Sequence, residues 1–153
     1  MPLTTLRRAL LLGATLWLVG CATPDLRLSV SSNAVLNQDT GSDSLPVRVR
    51  IYQLTTLQSF ENADFEELWK DDLGVLASDL VMREEFIMEP ADQRRLVLTR
   101  HDQAAYVAVV ALFRDPSDTG WRDSLPLGGN FVTRRFNTNL RIALEGNRLA
   151  LER

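Results

Sequence analysis

Cysteine and histidine are almost absent from this chain of 153 residues, which contains one of each, Cys21 and His101. A single cysteine cannot form an internal disulfide, and one cysteine with one histidine cannot supply the cluster of ligands that a zinc site needs. An excess of basic residues is also missing, because the formal net charge is −3. A protein that binds nucleic acid through a concentrated basic face is therefore not expected.

Sequence patterns typical of catalytic sites are missing as well. No Gly-x-Ser-x-Gly sequence is present, and Gly128-Gly129 lacks the lysine and hydroxyl residue that complete a phosphate-binding loop. His101 lies in a polar stretch between two predicted strands, which predicts an exposed turn residue. The carboxylates match no recognised calcium-binding loop. We therefore predict a binding or structural protein with no enzymatic activity, no metal site, no cofactor and no small-molecule substrate.

The N-terminus has the features of an exported protein. Arg7 and Arg8 precede an apolar run over residues 9–19. As a helix this run would be about 16 Å long, too short to cross a hydrocarbon core of about 30 Å. A positive start, a short apolar run and a small residue, Gly20, are typical of a signal peptide, here over residues 1–20.

The end of this segment, Leu18-Val19-Gly20-Cys21, resembles the lipobox of bacterial lipoproteins, in which the signal is cut before a cysteine that carries lipid. The alternatives are a non-cleaved anchor and an ordinary secretory signal with a chance cysteine. We predict that Cys21 is lipidated and that its acyl chains hold the protein on a membrane. Residues 21–25 then form the lipidated cysteine and a short tether. By resemblance to enterobacterial sorting rules, Ala22 in place of aspartate implies the outer membrane.

The rest of the chain, residues 26–153, is predicted to be one mainly β domain. Apolar and polar residues alternate over residues 26–31 and 47–52, which is typical of strands with one dry and one wet face. Residues 106–113 are apolar throughout, as in a central strand. Further strands are predicted over residues 80–88, 95–99 and 121–127 and in a hairpin around Gly146-Asn147. Seven or eight short strands with one helical insertion favour a two-sheet Greek-key β-sandwich.

The helical insertion begins at Asp64. Glu67 follows three residues later, which is the capping-box pattern of a helix start. Phe65, Leu68 and Trp69 then fall on one helical face. That face could dock a partner, but we expect it to cover an edge or an open end of the sandwich.

An ordered set of motifs in the mature chain resembles a known family. Residues 46–54 read Pro-Val-Arg-Val-Arg-Ile-Tyr-Gln-Leu, and residues 63–69 after Phe60 read Ala-Asp-Phe-Glu-Glu-Leu-Trp. A central apolar strand over residues 107–114 then precedes Trp121. This order is similar to the outer-membrane lipoproteins of the bacterial type VI secretion system, the TssJ family.

The resemblance implies a transthyretin-like sandwich with a small helical addition, tethered to the outer membrane and facing the periplasm. It implies binding to the periplasmic domain of TssM, the large inner-membrane protein of the apparatus, and so a link between the two membranes. It also implies no enzymatic activity and no cofactor other than the covalent lipid. The chain departs from the family at Ala91, which follows Pro90 where glycine is common.

The family's partner contact is placed on the loop between the first two strands, here residues 32–45. Most of this segment is polar, but Ala34, Val35 and Leu36 form an apolar triplet. Such a triplet either anchors a partner or packs into its own domain, and the sequence leaves both open. The residues expected to bind the partner are Asn33, Ala34, Val35, Leu36, Asn37 and Gln38.

A function of a different class also remains open. A lipid-anchored periplasmic sandwich could bind a ligand or act in carbohydrate processing. That function requires a concave pocket with converging polar groups. A sandwich whose interior is filled by side chains would argue against it.

Overall fold

The computed structural model describes residues 24–38, 43–117, 119–128 and 137–153, and within them eight strands form two sheets. The strands are β1 Asp25–Leu36, β2 Val47–Leu54, β3 Leu80–Met88, β4 Gln93–Thr99, β5 Tyr106–Leu112, β6 Arg122–Pro126, β7 Thr138–Gly146 and β8 Arg148–Glu152. Sheet 1 has the order β4-β1-β7-β8, and sheet 2 has the order β3-β2-β5-β6. Paired strands are antiparallel except β1 and β7, which are parallel. The predicted two-sheet sandwich is confirmed.

The inner faces of the two sheets supply the hydrophobic core. Leu26, Leu28 and Val30 of β1 are buried, whereas the intervening Arg27 and Ser29 are exposed. This pattern follows from the sequence because successive side chains of a strand point to opposite faces. Burying each such aliphatic side chain stabilises the fold by about 1.5–3 kcal/mol.

Helices occupy the connection between β2 and β3. They are α1 Gln58–Asn62 and α2 Phe65–Leu76, followed by a 3₁₀ turn over Ala77–Asp79. The predicted capping box is present: the Glu67 N–H donates to the Asp64 carboxylate at 2.8 Å, and the Asp64 N–H donates to the Glu67 carboxylate at 2.9 Å. The helix is kinked at Asp71, where the backbone leaves the helical range.

Helix α2 covers the outer face of sheet 2, and the expectation that it covers an edge or an open end is wrong. Arg50 in β2 donates to the carbonyl of Leu68 at 2.6 Å, and the Tyr52 hydroxyl donates to Asp72 at 2.8 Å. The predicted wet face of residues 47–52 is therefore largely covered. Cover on both faces also explains why β5, next to β2 in the sheet, is apolar throughout.

The predicted apolar face of α2 divides between the domain and solvent. Phe65 packs edge-on against Trp121, with ring centroids 5.1 Å apart, and Leu68 is fully buried. Trp69 is turned outward and is 53% exposed. The first two residues therefore fix the helix to the sandwich, and the third does not.

The strand directions separate the chain start from the predicted contact segment. Near the start of β1, the Arg100 N–H donates to the Pro24 carbonyl at 2.9 Å. At its other end, Leu36 pairs with Gly146, the last residue of the parallel strand β7. We call the end that holds Pro24 the proximal end and the end that holds Leu36 the distal end.

No helix in the described part of the chain is long and apolar enough to span a membrane. The same residues contain no group of three or more His, Cys, Asp or Glu side chains that could hold a metal ion. The predicted signal peptide, Cys21 and Ala22 lie outside the described residues.

Candidate partner-binding end of the sandwich

Strand β1 extends through the first part of the predicted loop and ends at Leu36. Asn33, Ala34 and Val35 lie in this strand and are exposed, Val35 by 51%. The loop prediction is therefore wrong for residues 32–36, because β1 continues to Leu36, which pairs with β7 again after an irregularity in the register that follows Ser32.

Two of the six predicted contact residues are not accessible. Leu36 is 0% exposed and Asn37 is 4% exposed. The apolar triplet is therefore divided between the two alternatives: Val35 is exposed and could contact a partner, whereas Leu36 packs into its own domain. Residues 39–42 of the predicted loop lie outside the described residues.

Asn37 forms hydrogen bonds with three other segments of the chain at the distal end. Its backbone has φ of 51°, a left-handed conformation that asparagine tolerates better than most residues. Its side-chain N–H donates to the Pro46 carbonyl at 2.7 Å, and its side-chain oxygen accepts from the Arg114 N–H at 2.7 Å. Its own N–H donates to the Gly146 carbonyl at 3.0 Å. Asn37 therefore acts as a buried junction and not as an exposed contact.

Asn147 makes a second junction beside the first. Its side-chain amide donates to the carbonyls of Gln38 at 2.7 Å and Asp115 at 3.0 Å. Gln38 in turn donates to the Ser44 hydroxyl at 3.3 Å. The start and end of the β1–β2 connection are thus held against the β7–β8 turn.

The β3–β4 turn packs on the other side of β1. The Ser32 hydroxyl donates to the Glu89 carbonyl at 2.6 Å and accepts from the Asp92 N–H at 3.0 Å. The Ala91 N–H donates to the Asn33 carbonyl at 3.0 Å, and Ala91 has φ of 55°. The left-handed conformation gives a physical reason for the glycine that is common in the family at this position.

The accessible residues of the predicted set form a surface that these junctions frame. We call it the distal surface, and it consists of Asn33, Ala34, Val35 and Gln38. The backbone carbonyls at its two ends accept hydrogen bonds, that of Asn33 from the Ala91 N–H and that of Gln38 from the Asn147 side chain, so a partner would meet a surface that is held at both ends. The sequence did not identify Ser32 and Asn147 as supports, although both residue types commonly bond to nearby backbone groups.

A cluster of ionised side chains fastens α2 to sheet 2. The Asp72 carboxylate accepts from Arg83 at 2.7 Å and lies 3.3 Å from the Arg50 guanidinium. Glu85 accepts from Arg50 at 2.7 Å and from Arg83 at 2.6 Å. We call Arg50, Tyr52, Asp72, Arg83 and Glu85 the ion cluster.

The pKa values in the ion cluster follow from its geometry. Burial alone would raise the pKa of Asp72, but hydrogen bonds from Arg83 and Tyr52 and the charge of Arg50 lower it below its ordinary value. The pKa of Glu85 is lowered in the same way, against the effect of burial. Burial and the neighbouring Asp72 raise the pKa of the Tyr52 hydroxyl. At neutral pH the two carboxylates of the cluster are therefore ionised and hydrogen-bonded while the Tyr52 hydroxyl keeps its proton, as expected of a structural clamp.

His101 lies in an exposed turn, as predicted. Its backbone N–H donates to the Gln53 side-chain oxygen at 2.9 Å, and the Gln53 amide donates to the Thr99 carbonyl at 2.7 Å. Gln53 faces the interior and joins the two sheets at the proximal end.

Residues 24–147 match the family described as type VI secretion lipoprotein, VasD, EvfM, TssJ. This match covers most of the chain. No curated protein sequence matches the chain.

Three solved structures show the extent of the structural likeness. The T6SS lipoprotein TssJ1 from Pseudomonas aeruginosa is 25% identical, with a TM-score of 0.75 over 86% of this chain and 96% of that chain. A chain of a type VI membrane complex is 27% identical, with a TM-score of 0.74 over 86% and 100%. A chain in a structure of the T6SS protein TssM C-terminal domain from EAEC is 25% identical, with a TM-score of 0.69 over 84% and 98%.

The two-sheet sandwich is thus the fold that this chain shares with a secretion-system lipoprotein of known structure. The chain belongs to the type VI secretion lipoprotein family that includes TssJ. The resemblance found in the sequence is therefore confirmed.

Proposed function

We propose that this protein is anchored in the outer membrane by lipid on Cys21 and binds the periplasmic domain of TssM through the distal surface. In this function the protein links the outer membrane to a partner that is held in the inner membrane. Family membership supports the placement in a type VI secretion membrane complex. The alternative, a ligand-binding or carbohydrate-related sandwich, is disfavoured because aliphatic side chains fill the space between the sheets.

The observation that carries the proposal is the direction of β1. The predicted tether enters β1 at Asp25, and the distal surface begins at Asn33, about 26 Å further along at about 3.3 Å per residue. The attachment point and the contact surface therefore lie at opposite ends of one strand. A partner held in another membrane could reach the distal surface without crossing the anchor.

Strand β1 is also well placed to carry tension. It is paired on both sides, with β4 and with β7. Ladder hydrogen bonds run across the strands, so a pull along β1 would have to shear many of them together. A sheet loaded in this direction resists force better than one whose hydrogen bonds break one after another from the end of a strand.

The likeness to the EAEC structure adds support for TssM as the partner. The aligned part of this chain fills 98% of that chain, which is therefore about 130 residues long. The TssM fragment of that structure, residues 869–1107, is nearly twice as long. The chain that resembles this protein is therefore too short to be the TssM fragment itself. It has the length expected of a lipoprotein domain that is present in the same structure as TssM.

A pair of matched substitutions tests the contact. Val35→Asp places a charge on the distal surface, and we expect it to weaken binding to a purified TssM periplasmic fragment at least tenfold, since burying an unpaired carboxylate in an interface is unfavourable. Affinity is measured by biolayer interferometry with the full chain in detergent.

The control is Val97→Asp in β4, because Val97 is also an exposed valine of sheet 1, at 64%, but lies near the proximal end. We expect its affinity to match that of the wild type. Equal loss for both variants, or no loss for either, would overturn the assignment of the distal surface.

A further inference from the structure

The sandwich is bonded along one side and open along the other. On the bonded side the Leu149 N–H donates to the Gly120 carbonyl at 2.7 Å, and the Leu151 N–H donates to the Asp123 carboxylate at 2.8 Å, so the edge strand β8 is held against the chain around β6. The edge strands β3 and β4 lie on the open side. Within the described part of the chain no hydrogen bond joins these two strands, and their outer backbone groups are left without a strand partner.

Strand β3 is the longest of the described edge strands, with nine residues. In an antiparallel pair alternate residues bond to the neighbouring strand, so the N–H and carbonyl groups of the other residues of β3 point away from β2. Residues 80–86 are all half-buried, on the inner and the outer face alike. Because the core covers the inner face and α2 covers the outer one, their remaining exposure is largely along the edge. The edge of β3 is therefore a template to which another extended chain can add.

The inner face of β3 carries an acid between two apolar side chains. Met82, Glu84 and Phe86 pair in register with three residues of β2 whose side chains are buried, so all three lie on the inner face. Met82 and Phe86 pack against the core. Glu84 makes no ion pair or side-chain hydrogen bond with another described residue. An inward charge on an edge strand discourages pairing with an apolar strand, because the added strand would cover the carboxylate without providing a partner.

The same carboxylate determines which strand can pair. Residues directly opposite each other on neighbouring strands point to the same face, and opposite charges in these positions attract. A lysine or arginine opposite Glu84 would therefore pair with it, and apolar residues two positions to either side would lie beside Met82 and Phe86. Arg94, the inward-facing cation of β4, already pairs with Asp92 at 2.9 Å. The edge of β3 thus lacks a cation that an added strand could supply.

We propose that the edge of β3 binds an extended segment of a partner protein that carries a basic residue between two apolar residues at alternate positions. Backbone hydrogen bonds to β3 supply the affinity, and the three alternate side chains supply the selectivity. A second copy of this chain is a poor occupant, because antiparallel pairing of two β3 strands about their central residue would set Glu84 of one against Glu84 of the other. The distal surface takes no part in this contact, so this proposal and the binding of TssM can fail separately.

Two synthetic peptides of about nine residues provide the probe. The lysine peptide has lysine at its centre, valine two positions to either side and threonine elsewhere, and the glutamate peptide differs only in having glutamate at the centre. Binding to the full chain in detergent is measured by fluorescence anisotropy. We expect the lysine peptide to bind at least about fivefold more tightly than the glutamate peptide. Equal binding of the two peptides, or no binding of the lysine peptide, would overturn the proposal.

Charge exchange at Glu84 tests the pairing. Glu84→Lys should reverse the preference, so that the glutamate peptide binds more tightly than the lysine peptide, and Glu84→Gln should leave less than about twofold between them. The control is Glu89→Lys, which makes the same change of charge at an exposed residue just after the end of β3. Its preference should match that of the wild type. An unchanged preference in Glu84→Lys, or a reversed preference in Glu89→Lys, would contradict the pairing at Glu84 and overturn the proposal.

Methylation of the peptide backbone tests whether the peptide adds as a strand. Methyl groups on the nitrogens of alternate residues remove the N–H donors from one edge of the lysine peptide and leave those of the other edge. Methylation of one alternate set should abolish binding, and methylation of the other set should leave the affinity within about threefold of the unmodified peptide. Equal effects of the two modifications would show that the peptide does not add as a strand, and would overturn the proposal.

Hydrogen exchange locates the bound peptide. Exchange of backbone amides should slow in residues 80–88 when the lysine peptide binds, and should not change in residues 148–152 of the bonded edge strand β8. Slower exchange in residues 93–99 alone would place the peptide on β4 and overturn the proposal. Self-association of the chain that the lysine peptide disrupts would identify a second copy as the occupant of the edge, which would overturn the proposal too.

Discussion

At the residue scale, the distal end depends on a few polar side chains that replace missing backbone pairing. Asn37 satisfies a carbonyl and an N–H from two other connections while its own backbone is left-handed. An aliphatic residue would leave both groups unpaired in a buried position. Asn37 therefore holds the proposed binding surface in place without belonging to it.

Asn37→Ala should destabilise the protein by about 2–4 kcal/mol, from two unsatisfied buried groups and a strained backbone. Asn37→Asp keeps the acceptor for Arg114 but places a buried carboxylate oxygen against the Pro46 carbonyl, so at pH 7 its cost should be at least as large as that of Asn37→Ala. The unfolding midpoint in urea, at an unchanged m value, measures both effects. A loss below about 0.5 kcal/mol for the alanine variant would contradict the role of Asn37 as a junction.

At the scale of elements, the helical insertion converts an exposed sheet face into a second buried layer. Arg50 and Tyr52 lie at outward positions of β2, yet both are buried because α2 brings Asp72 and backbone carbonyls to them. The ion cluster thus provides partners for charges that the helix removes from water. Removing one member of such a buried group costs more than an exposed ion pair would.

The ion cluster should make stability depend on acidity. The pKa values of Asp72 and Glu85 are lower in the folded chain than their ordinary values. Their contribution is therefore complete above the unfolded pKa values, near pH 4 to 4.5, and is lost as pH falls through the lower folded values. We expect the free energy of unfolding to decrease steadily from about pH 5 to pH 2.

Asp72→Asn isolates this contribution. It should reduce stability by about 3 kcal/mol at pH 7, because Arg50 and Arg83 each lose one of their two carboxylates. It should also flatten the decline between pH 5 and pH 2. Urea titrations at several pH values measure both effects, and an unchanged slope would show that Asp72 does not couple folding to protonation.

At the scale of the whole molecule, the sandwich separates the predicted attachment end from the proposed contact end. The predicted tether is short, which would hold the proximal end near the membrane and direct the distal surface into the periplasm. The anchor would then be part of the function, since a connection between membranes requires attachment at both ends.

Cys21→Ser tests the anchor. In a Gram-negative host we expect it to abolish labelling with radioactive palmitate and to leave an unprocessed precursor of higher mass. Ala22→Asp should leave labelling unchanged and, in an enterobacterial host, move the protein to the inner-membrane fraction. A Cys21→Ser protein that is still labelled and processed would show that another residue carries the lipid.

The sequence by itself determined most of the strand pattern and the family. Alternation of polar and apolar residues placed most strands, and Asp64 with Glu67 placed the start of α2, because these are local properties of the chain. The ordered motifs gave the family, which the match over residues 24–147 confirms. The lipidation of Cys21 and the binding of TssM stay predictions.

Only the tertiary structure decided which outward residues are covered. Val35 and Leu36 are both aliphatic and the sequence does not distinguish them. In the folded domain Leu36 pairs with β7 and is buried, whereas Val35 is exposed. Arg50 looked like a residue of a wet face until a helix some twenty residues later covered it. Burial depends on contacts between distant segments, and for that reason the local pattern could not determine which of the predicted contact residues are accessible.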